Sequence, residues 1–264
     1  MRKLLSAVLL LLVMLLVSKV PVYASSAQAY QDFQYQFDLY RTSLSNYVTA
    51  RNQYKQFNTL ESSQDTLDKV KVYIAQRNQV AKAYFLFLNE KISEDPGLIS
   101  TDLNLYRGLI TNQVGFLDQN TAAPIGSLDD ATKTSTAFIK NYLPMQMGYR
   151  QIIVGLELGY LSFFATKFDA AAATAQNLIT ASHGYASPEK QATLDRWLIA
   201  LSNKHSLYQE QDKAIRKAMT SIKGDIQEQD RQLASVQKLI VSARQNLVEG
   251  TSYLGEVETA LQYE

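Results

Sequence analysis

Few side chains in this 264-residue sequence have types and spacings that could carry chemistry. Glu157 is the single charge in the apolar segment from Ile152 to Ala165. A carboxylate held away from water can serve as a general acid or base; more simply, it reaches solvent or pairs with a cation. No second carboxylate stands at a helical spacing that would make an acid/base pair with it. His205 falls on an apolar seam, with Asp212 one heptad later. An imidazole there is either a pH-responsive element or a polar seam residue that fixes register. His183, in Ser182-His183-Gly184-Tyr185, reads as a helix C-terminal residue ahead of a glycine cap.

The sixteen Tyr stand beside one Trp, and Tyr40, Tyr47 and Tyr54 repeat every seven residues on one stripe with Phe33. Rings at heptad spacing pack as core with their hydroxyls at the rim. The sharper reading is an aromatic groove for an extended ligand such as a glycan or peptide. These three tyrosines are therefore the candidate interaction surface. Lys213, Arg216 and Lys217 are balanced by Glu210 and Asp212 and read as a solvated face. Gly155 and Gly159 form a GxxxG within a helical pattern, which signals close helix packing. The run Ala170 to Ala173 also reads as tight packing.

Composition narrows the chemistry further. With no Cys, disulfides, thiolate metal sites, cysteine nucleophiles and Cys-linked lipid anchors are excluded. Two His leave no room for a multi-histidine metal site. A net charge of +1 argues against nucleic acid as a partner. The sequence gives no catalytic, cofactor-binding or metal-ligating residues, and the expectation is a protein that is not an enzyme and needs no cofactor.

The elements that must position these residues begin with an export segment. Arg2 and Lys3 precede an apolar run from Leu4 to Val17, and Val22-Tyr23-Ala24 supplies a small-residue cleavage site. That is the pattern of a secretory signal peptide over 1–24. Its 14-residue run is short for a membrane span. Cleavage would remove Arg2, Lys3 and Lys19 and no acid, turning the charge from +1 to −2. The expected location is secreted, periplasmic or cell-surface, in a bacterial envelope, with membrane contact only if the segment stays uncleaved.

Helical periodicity dominates residues 25–264, expected to form a single domain. Apolar steps of three and four predict helices at 27–57, 62–93, 101–119, 127–182 and 188–263. Ser62-x-x-Asp65 reads as the start of the second, and the first two should form an antiparallel hairpin. Its stripe is Leu67, Val70, Ile74, Ala81, Tyr84 and Leu88. Pro144 should kink or split the fourth helix; the unbroken phase on both sides favours a kink. From Leu194 to Leu261, twenty seam positions hold one phase without a slip, and only His205, Asp212, Gln229 and Gly250 among them are not apolar. This predicts one helix of about 75 residues, with Gly224 and Gly250 as its weak points and the fourth helix packed along its first part.

The expected fold is all-α: an elongated antiparallel helical bundle or coiled coil with a long C-terminal helix. The leading functional expectation is an exported, non-enzymatic interaction, scaffold or spacer module whose partner is a protein or a second copy of itself. The alternative is a ligand-binding or sensor-like bundle with a cleft near the aromatic stripe or the Pro144 kink, tethered if the signal segment is uncleaved.

Overall fold

The computed structural model describes residues 25–182 and 186–262, so residues 1–24, where a signal peptide is expected, His183 and its two successors, and the final two residues lie outside the described part. The described residues form six helices and no strand: α1 (Ser26–Phe57), α2 (Leu60–Glu94), α3 (Ser100–Ala122), α4 (Leu128–Ser182), α5 (Pro188–Thr220) and α6 (Ile226–Gln262). They pack against one another as a helical bundle.

Local chemistry sets the ends. Ser25 caps α1 by accepting from the Gln28 N–H at 3.3 Å. Asn58, in the left-handed region at φ 50°, closes it. Thr59, rather than Ser62, caps α2: its hydroxyl accepts from Ser62 N–H while the Ser62 hydroxyl accepts from Thr59 N–H, a reciprocal capping box. Ser187 and Pro188 start α5 as expected. α4 continues through Pro144 as one helix of 55 residues.

The expected 75-residue helix is two helices. The chain reverses over Ser221–Asp225, where Gly224 sits at φ +105°, a conformation side-chained residues avoid. The Asp225 carboxylate accepts from Glu228 N–H at 2.9 Å and starts α6. None of the twenty seam positions is exposed. The seam is real, but it folds back and buries itself between α5 and α6. Gln211 ties the hairpin by donating to Ser242 at 2.7 Å and accepting from Asn246 at 2.9 Å. Helix α4 consequently packs more on α6 than on α5. At the other candidate break, Gly250 stays helical; an added Cβ there would meet the Phe168 ring at 2.7 Å.

The main core draws on α2 through α6, with Phe85, Ile92, Tyr106, Ile152, Leu158, Ile215 and Leu233 almost fully buried. The GxxxG pair serves close packing. Gly155 lies against the Tyr106 ring, and Gly159 receives the α2–α3 turn through Gly97 and Asp95. Ala170, Ala171 and Ala173 are exposed, against the expectation of tight packing. No described helix is long and apolar enough to cross a membrane.

Helix α1 is set apart from this core. Among the described elements it packs on α2 alone. Its buried residues are small: Ser26, Ala29, Ser43 and Ala50. Its rings instead lie over α2, Tyr30 on Phe87 at 5.4 Å, Phe33 on Tyr84 at 5.2 Å and Tyr47 stacked on Tyr73 at 5.3 Å. These pairings confirm the antiparallel hairpin.

Candidate functional site

Helices α1 and α4 both pack on α2, yet no Cα atom of one comes within 8 Å of the other. The gap between them is a cleft of about 400 Å³ with α2 as its floor. The floor residues Tyr73, Arg77, Val80 and Ala81 follow helical spacing, so one face of α2 presents them together. Tyr40 is the wall from α1. The wall from α4 is the stretch around Pro144, with Phe138, Ile139, Tyr142, Met145 and Tyr149. The Tyr149 hydroxyl donates to the Ala81 carbonyl at 3.2 Å, and its ring meets Tyr84 edge-on at 4.7 Å. Tyr149 thereby divides this cleft from a second hollow, also of about 400 Å³, beside Arg150 and Asp230, which form an ion pair.

Arg77 is the one charged residue of the first cleft, and only 8% of it is exposed. Its guanidinium lies 3.8 Å from the centroid of the Phe138 ring and 5.7 Å from that of Tyr73, a cation–π arrangement. No described carboxylate lies within ion-pair distance of it, and its Nε and Nη2 are buried without an acceptor. Burial lowers the Arg77 pKa below the ordinary arginine value, against the Tyr73 and Tyr40 hydroxyls, which favour the charged form. Burial also raises the pKa values of Tyr40, Tyr84 and Tyr149, so all three hydroxyls are neutral donors near pH 7.

Arg216 shows what a satisfied arginine looks like in the same bundle. It donates to Asp102 of α3 at 2.8 Å, to Asp212 of its own helix at 2.9 Å and to Ser162 of α4 at 2.8 Å. Burial opposes its charge too, yet Asp212 and Asp102 hold its pKa above the ordinary value. Its side chain is 27% exposed. This corrects the reading of Arg216 as part of a solvated face: it ties three helices together. Beside it, burial pushes the Tyr208 hydroxyl up to about 12.

The residues singled out in the sequence separate. Tyr40 lines the cleft; Tyr47 reaches it only through Tyr73; Tyr54 is half-buried further along α1. Glu157 is exposed. His205 pairs with Asp169 of α4 at 2.8 Å and lies beside Phe168. Asp169 is about 18 Å beyond Glu157 along the same helix, so Glu157 and His205 do not form one site. No group of three or more His, Asp or Glu that could hold a metal occurs among the described residues. Arg77 was missed, although the stripe on α2 carries its trace: the steps of three and four jump from Ile74 to Ala81, and the skipped turn holds Arg77 and Asn78, both buried. The Asn78 amide nitrogen donates to Asn120 and Thr121, each at 3.0 Å, while its Oδ1 is buried without a donor.

Fold and cleft together define an all-α helical bundle with an aromatic cleft beside its main core. Compared with known protein families, with curated proteins and with solved structures, the chain matches none.

Proposed function

We propose that this protein is an exported, non-enzymatic helical bundle that binds a ligand in the cleft between α1, α2 and α4. The observation that carries the reading is the cleft itself: a concavity of about 400 Å³ whose walls are mostly rings and aliphatic side chains, with a single charged group. Small-molecule sites have this composition and lie between helices of bundles. The reading joins two sequence features, since Tyr40 belongs to the aromatic stripe and the opposite wall surrounds Pro144. The signal pattern at 1–24 supports an extracytoplasmic location, and mass spectrometry should find Ser25 as the mature N-terminus.

Binding is tested with a reporter at the cleft mouth. Ile139→Trp, in a Trp197→Phe background, places the one indole on the cleft wall. Saturable energy transfer from it to a bound aromatic dye, at one dye per chain, supports the reading. Transfer that never saturates with either a neutral or an anionic dye overturns it.

A second reading, association with a protein partner or a second copy, draws on Phe164, Ile199 and Val241, each at least 63% exposed. Sedimentation across a hundredfold concentration range tests self-association, and a constant monomer mass excludes it.

A further inference from the structure

Arginine cannot shed its proton, so a buried guanidinium stays charged and must find partners. At Arg77 the partners are incomplete. Phe138 covers a face of the guanidinium, and a ring face attracts the charge but accepts no hydrogen bond from the edge donors. Nε and Nη2 have no acceptor among the described residues. Two other arginines that join helices across this bundle, Arg216 and Arg150, each have a carboxylate. A charge left without a counter-ion in an apolar cleft is costly, and an anion entering that cleft would remove the cost. The remaining wall sets the rest of the guest: Tyr40, Ile139 and Tyr142 offer rings and a methyl-rich edge, which suit a flat apolar body.

We propose that the cleft binds an organic anion with an aromatic or similarly apolar body, a carboxylate or sulfonate on one to two fused rings, and that Arg77 anchors its acidic group. This rests on the ligand-binding reading above and names the chemistry of that same site. Neutral glycans fit less well, because they would leave Arg77 without its counter-charge. Cations are excluded by the like charge.

Two dyes of nearly the same shape test it. 8-Anilinonaphthalene-1-sulfonate carries an anionic group, and N-phenyl-1-naphthylamine lacks it. Both are titrated into the Ile139→Trp, Trp197→Phe protein and followed by energy transfer. The anionic dye should bind roughly ten- to a hundredfold tighter, the range of a charge-assisted hydrogen bond. Arg77→Met should abolish that preference while leaving the neutral dye bound as before. Lys213→Met removes the same charge from an exposed position on α5 and should change neither affinity. Circular dichroism and urea midpoints establish that each variant is folded, and Arg77→Lys should restore part of the preference if Arg77→Met unfolds. If both dyes bind equally and Arg77→Met alters neither, the anion assignment falls while the cleft stands. If neither dye saturates, cleft and assignment fall together.

Discussion

Two antiparallel hairpins frame the chain, and they differ in what they bury. In α5–α6 the apolar seams face each other and the main core, and Leu233, Val236 and Ala243 are at most 1% exposed. In α1–α2 the second helix joins the core through Phe85, Leu88 and Ile92, whereas α1 lays half-exposed rings over it and buries only small side chains. The same contrast recurs in their arginines. Arg216 of α5 has two carboxylates and a hydroxyl; Arg77 of α2 has ring faces and the Tyr73 hydroxyl, and no carboxylate. The difference teaches that one hairpin pairs its helix-joining arginine with carboxylates, and the other leaves its arginine beside a hollow without a counter-charge.

The contrast is most easily broken by truncation. Leu233→Ala on α6 should cost about 2–5 kcal/mol, as full burial of a leucine implies. Phe37→Ala on α1, 44% exposed, should cost about 1 kcal/mol or less, because little apolar surface returns to water. Urea denaturation measures both, and equal losses would erase the distinction between the hairpins.

The arginines sharpen it. Arg216→Met strands the Asp102 and Asp212 carboxylates, whose side chains are 17% and 20% exposed, and should cost about 2–4 kcal/mol. Arg77→Met strands no carboxylate and removes an unpaired buried charge, so it should leave stability unchanged or raise it by up to about 2 kcal/mol. A loss at Arg77 as large as that at Arg216 would show that Arg77 is a structural partner in its own right.

The reversal between α5 and α6 comes next. Gly224→Ala forces a side chain into φ +105° and should cost about 1–2 kcal/mol, read from the same denaturation curves. No loss would mean that the turn can be rebuilt without the glycine.

The smallest effect concerns pH. Burial raises the Asp95 pKa, against the N–H groups of Gly97 and Leu98. The folded chain therefore holds this proton more tightly than the unfolded one. Stability is lost as pH rises from the ordinary aspartate range through the folded pKa. Asp95→Asn, which can still accept from Gly97, should raise the urea midpoint slightly near pH 7 and leave it unchanged near pH 3, where both states are protonated. Equal shifts at both pH values would overturn the assignment.

Much of this was legible. The bounds of the first four helices to within three residues, the hairpin of α1 and α2 and all twenty seam positions follow from the sequence pattern. The reversal at Gly224 was hidden because the turn occupies the interval between Met219 and Ile226, one heptad, so the phase passes through it intact. A seam records which side of the chain faces inward and not the direction in which the chain runs. Arg216 was misplaced because its neighbours Glu210 and Asp212 balance the local charge, while its partner Asp102 lies 114 residues away. The cleft depends on α1 and α4 standing apart, a relation between two distant segments that no spacing within either can encode.

The attachment of α1 has a consequence for the order in which the molecule opens. A helix held by a single neighbour, with small side chains as its buried contacts, is the unit that detaches at lowest free energy. Its amides should exchange with deuterated solvent ahead of those in α4 and α6. Each such excursion would carry Tyr40 away from the cleft and let water reach Arg77, so α1 would act as a hinged door over the charge. An occupant touching both Tyr40 and Tyr142 would latch that door, and its presence would be written along the whole of α1 as slowed exchange.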